Sequence, residues 1–117
     1  MGIRVLLLSF LFVPAVLVAQ SPDTPQQMKE KEARKHLLDH PKPSYPPIAR
    51  AAHVWGDVRI AVLIDNDGKV SEEKFLGGPP MLQQAALETV KHWTFTPFTT
   101  AGVTHEVVTV LTVPFRL

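Results

Sequence analysis

The sequence predicts an α+β domain: a small three-stranded antiparallel sheet with two helices on one face, in the order α-β-β-α-β. Two alternating stretches, Val58 to Ile64 and His105 to Leu117, supply strand signals. One run, Leu82 to Trp93, places apolar residues at steps of three and four and supplies the helix that covers them.

Before the domain comes a leader. Met1 to Arg4 carries one basic charge, Val5 to Val18 is apolar apart from Ser9 and Pro14, and Ala19 precedes a polar stretch. That is the layout of a secretory signal peptide over residues 1–19. The run falls short of the roughly 20 apolar residues a spanning helix needs, and Pro14 interrupts it. The mature chain is expected to begin at Gln20 in the periplasm. Leu17 stands where a small residue is usual, so an uncleaved inner-membrane anchor is the alternative. Loss of Arg4 leaves 11 basic side chains (12 − 1) against 11 acidic ones. A neutral chain without a basic block has no electrostatic footprint for nucleic acid or for an anionic membrane. It has no cysteine, which excludes a disulfide framework, a lipid anchor on Cys and thiolate chemistry.

Residues 20–44 read as a polar, Pro-containing spacer. Gln26 to His40 has helical composition, with Glu30 and Arg34 at a favourable four-residue spacing, but only a thin apolar stripe (Met28, Ala33, Leu37, Leu38). A solvated or loosely docked helix is expected there. Pro41, Pro43, Pro46 and Pro47 mark the domain boundary, and Pro46-Pro47 suit the first turn of a short helix ended by Gly56.

Val58, Ile60, Val62 and Ile64 then alternate with Arg59, Ala61 and Leu63, as in a central strand. Asp65-Asn66-Asp67-Gly68 is a hairpin turn, with Gly68 free to take a positive φ. Val70 to Leu76 returns as a more polar outer strand. After Gly77-Gly78-Pro79-Pro80, the second helix aligns Leu82, Ala86, Val90 and Trp93 on one face. Thr94 to Pro97 leaves that helix, Ala101-Gly102 turns, and the last strand puts Val107, Thr109, Leu111, Val113, Phe115 and Leu117 on one side. Pro114 cannot donate to a ladder, which assigns this strand to a sheet edge.

The spacing of four boxes resembles the C-terminal domain of the TonB energy-transducer family over residues 45–117. Tyr45-Pro46-Pro47-Ile48-Ala49-Arg50 is similar to its YPxxAR opening. Gly56-Asp57-Val58 through Gly68-Lys69-Val70 resembles its hairpin. Ala85-Ala86 to Trp93-Thr94-Phe95-Thr96-Pro97 resembles its helix exit, and Val113 to Leu117 its terminal strand. In these boxes Tyr45, Pro46, Ala49, Gly56, Gly68, Trp93, Phe95 and Pro97 read as structural residues: Tyr45 and Pro46 pin the first helix, and Trp93 and Phe95 anchor the core. The Gly-Gly-Pro-Pro loop departs from the family's Ser/Gly-rich turn. The 25-residue spacer, at most about 80–90 Å when extended, also makes a poor arm for a transducer.

No enzyme is expected. His36 and His40 are four apart with Asp39 between them, but the pattern places no third metal ligand, and the other histidines (His53, His92, His105) are scattered. No catalytic residue, metal, cofactor or small-molecule substrate is therefore assigned. The resemblance implies binding to an outer-membrane receptor or other envelope protein by strand addition along His105–Leu117. Thr109, Val108, Val110 and Thr112, with Arg50, are the candidate partner-binding residues. A membrane-anchored transducer and a self-associating structural domain forming a homodimer are the alternatives.

Overall fold

The computed structural model describes residues 24–117; the expected signal peptide and the start of the spacer lie outside them. In chain order the elements are β1 (Gln26–Gln27), α1 (Glu30–Arg34), β2 (Leu37–Asp39), α2 (Pro47–Ala51), β3 (Gly56–Ile64) and β4 (Val70–Gly77). A 3₁₀ turn at Pro80–Leu82 leads into α3 (Gln83–Val90), then β5 (Thr94–Phe95), β6 (Phe98–Thr100), β7 (Val103–His105) and β8 (Val107–Phe115). Among the described residues no helix is long and apolar enough to cross a membrane.

The main sheet has four strands rather than three, in the order β1-β8-β3-β4. β3 pairs antiparallel with β8 along its whole length and with β4 through the hairpin, as the alternation requires. The added strand is β1, parallel to β8 over Gln26↔Val107 and Gln27↔Val108. Its side chains are exposed, so only its backbone holds it there. The helix expected over 26–40 is confined to the five residues of α1, because the same segment supplies β1 before it and β2 after it. β2 pairs with β5. A β6–β7 hairpin turns at Ala101 (φ 53°) and Gly102 (φ 81°).

The core lies on one side of the sheet. Val58, Ile60, Val62 and Ile64 of β3 face it together with Val107, Leu111, Val113 and Phe115 of β8, all at most 2% exposed. From the helices, Ala49, Leu82, Ala86 and Val90 close over them. Trp93 and Phe95 are buried in the same cluster, and the Trp93 indole N–H donates to the Pro41 carbonyl at 3.2 Å. Tyr45 stands edge-on to Phe115 at 5.5 Å and donates its hydroxyl proton to the Val54 carbonyl, which pins α2 to the sheet from both ends. Leu117 departs from the expected pattern: it lies beyond the last ladder pair and is exposed.

At Gly68 the hairpin needs a residue without Cβ. Its φ is +84°, and a Cβ would sit 1.8 Å from the Phe95 carbonyl oxygen. The close approach is itself structural, since the Phe95 N–H donates to the Gly68 carbonyl at 2.8 Å. Asp65 completes the turn, its Oδ1 accepting the N–H groups of Asp67 and Lys69.

Candidate functional site

The outer edge of β8 is read from its alternation. Side chains of residues 107, 109, 111 and 113 point into the core, while Val108, Val110 and Thr112 lie half-buried on the opposite, helix-free face. Backbone groups alternate too, but across the sheet rather than through it. The carbonyls of Glu106 and Val108 accept from Gln26 N–H at 3.0 Å and Met28 N–H at 2.9 Å, so the even residues turn their hydrogen-bonding groups outward. The odd residues therefore turn theirs toward β3.

That parity corrects the part expected of Thr109. Its side chain is 2% exposed, its hydroxyl has no hydrogen-bond partner among the described residues, and its N–H belongs to the β3 ladder. It is a core residue of the strand. Val108, Val110 and Thr112 carry the outward edge, through their backbones as well as their side chains.

The edge is also not bare, as an outermost strand would be. β1 covers its start, and beyond β1 the chain presents side chains in place of a strand. The Thr112 N–H donates to Glu30 Oε2 at 2.7 Å and its hydroxyl to Glu30 Oε1 at 2.9 Å. Arg34 Nη2 donates to the Thr112 carbonyl at 2.8 Å, and Arg34 Nε to Glu30 at 2.9 Å. The pair read from the sequence as a helix-surface ion pair thus holds both backbone groups of one β8 residue. Nothing local in the sequence signals that contact; the four-residue spacing shows only that the two charges meet.

The opposite edge of the sheet, β4, is of another kind. Ser71, Glu72 and Lys74 are exposed along it, and its pairing with β3 shifts register twice. Charges and irregular register are features that keep an edge from taking another strand. β8 has neither between Val107 and Val113.

Two clefts flank the β8 edge. One of about 240 Å³ on the helix-free face is lined by Pro25, Ala61, Leu63 and Val108 among others. The other, of about 510 Å³, lies where β8 ends and is walled by Arg34, Tyr45, Trp93, Pro114 and Arg116. Arg50, the remaining candidate partner-binding residue, lays its guanidinium 4.8 Å over the Tyr45 ring. His36 and His40 are engaged separately. His36 hydrogen-bonds Thr96 Oγ1 at 2.9 Å, and His40 stands edge-on to Trp93 at 5.9 Å. Among the described residues no group of three or more metal-ligating side chains converges.

Comparison with known proteins agrees with the fold. The family model described as Gram-negative bacterial TonB protein C-terminal matches residues 41–117. A curated relative, Protein TonB of Vibrio cholerae serotype O1, is 36% identical over 64 residues, covering 53% of this chain. The match spans 26% of that relative's length. Among solved structures, the solution NMR structure of the Pseudomonas aeruginosa TonB CTD aligns with a TM-score of 0.58 at 23% identity. That alignment covers 69% of this chain and 84% of the other, and it shows a shared fold.

Proposed function

Since the chain belongs to the Gram-negative TonB C-terminal family, we propose that it is an exported, non-catalytic binding module of the cell envelope. In this reading it works in the periplasm and grasps an extended segment of an outer-membrane receptor, or of another envelope protein, by strand addition on β8. One observation carries the reading: the outward backbone groups of Glu106 and Val108 already pair with an extended segment, β1, in parallel register. An edge that accepts two residues of this chain has the geometry to accept a partner's strand, with main-chain bonds giving affinity and alternate side chains giving specificity. The Val108 and Val110 side chains, beside the cleft at Ala61 and Leu63, would read the partner's inward-facing residues.

The test is a pair of prolines one position apart. Val110→Pro removes an outward donor and leaves the β3 ladder intact, so it should fold and lose at least about tenfold in affinity. Affinity is read by calorimetry against synthetic peptides from the periplasm-facing segments of outer-membrane receptors. Thr109→Pro removes a donor to β3 and should fail to fold. Unchanged peptide binding by a folded Val110→Pro protein would exclude strand addition at this edge.

A further inference from the structure

Because β1, Glu30 and Arg34 lie where a partner strand would, we propose that residues 26–34 form an autoinhibitory strap that the partner must displace. This rests on the strand-addition reading, and adds to it a regulated, closed state of the same edge.

The strap imitates a strand without being one. A neighbouring strand would offer Thr112 a carbonyl oxygen for its N–H and an N–H for its carbonyl. The Glu30 carboxylate supplies the first and the Arg34 guanidinium the second. β1 does the same with true backbone groups at Glu106 and Val108. Together they engage the edge at Glu106, Val108 and Thr112, where a second chain would otherwise pair.

The strap is built to let go. β1 is two residues long with both side chains exposed, and α1 is five residues, far below the length at which a helix holds by itself. Ala33 is its one fully buried side chain. The Arg34 and Glu30 side chains remain 38% and 26% exposed, so water competes for their bonds. An arriving strand exchanges these contacts for a continuous ladder, and its apparent affinity is reduced by the fraction of molecules in which the strap is closed.

The experiment uses the exported chain, its Glu30→Ala/Arg34→Ala double variant, and Met28→Pro, which removes the donor to Val108 without touching charge. Amide exchange is followed by NMR. Binding is measured with a synthetic peptide of this chain's residues 24–35, and in parallel with receptor peptides. In both variants Thr112 should exchange about tenfold faster or more while Leu111 and Val113, bonded to β3, keep their protection, and both peptides should bind about tenfold tighter. Equal exchange and equal affinity in all three proteins would overturn the strap. So would a loss of protection at Leu111 and Val113 in step with Thr112, because residues 26–34 would then be an ordinary part of the fold. If the variants take the 24–35 peptide but no receptor segment, the strap stands and the receptor reading falls.

Discussion

Trp93 shows how one residue joins the two parts of the chain. It is 4% exposed, shares the cluster of Phe95 and Val90, and bonds Pro41 through its indole N–H. Arg34 lies 5.7 Å over its ring, so the same side chain faces the core, the proline boundary and α1. Trp93→Ala should cost about 3–5 kcal/mol in chemical denaturation, the range for truncating a large aromatic in a packed core. Trp93→Phe keeps most of the ring but loses the bond to Pro41, and should cost roughly 1–3 kcal/mol. A loss below about 1 kcal/mol for the alanine variant would mean the indole is not a core anchor.

Among the elements, the β3–β4 hairpin and β8 differ from β1 in how they are written into the chain. The hairpin carries its own instructions: apolar alternation on β3, then Asp65 folding the turn back on its own amides, then Gly68. Gly68→Ala meets both a φ of +84° and the Phe95 carbonyl, and should destabilise by about 1–3 kcal/mol or more, seen as a lower thermal midpoint. β8 was equally legible, since five core-facing residues at alternate positions leave no other strand register. The position of β8 in the sheet was not. Pro114 pointed to an edge, and β1 covers that edge through Gln26 and Gln27, which have no apolar pattern because only their backbones are used. Glu30 and Arg34 were visible as a pair, but the partner of both is 82 and 78 positions away along the chain, beyond the reach of any local periodicity. The core was thus readable from side-chain alternation, whereas the covering of the site depends on backbone groups and long-range contacts that alternation does not encode.

For the molecule as a whole, the family match begins at residue 41, yet the fold begins earlier. Ala33 is fully buried, Met28 and Leu37 pack against the core, and β2 pairs with β5. The stretch read as a spacer is therefore part of the domain's covering. Its point of entry has a mechanical consequence. Tension applied to the chain ahead of Thr24 arrives first at the Gln26 and Met28 bonds, then at the Glu30–Arg34 clamp, and only afterwards at β2 and the core. The first parts to yield would be the weakest, and their rupture would bare the β8 edge while the rest stays folded. Pulled between a handle before Thr24 and one after Leu117 in an optical trap, the protein should give a small early extension before the main unfolding event. In the Glu30→Ala/Arg34→Ala variant that early step should move to lower force or vanish, with the main event unchanged. A single rupture at the same force in both proteins would show that the load bypasses the clamp. The same contacts that close the β8 edge at rest would then act as a fuse, making exposure of that edge a response to pulling.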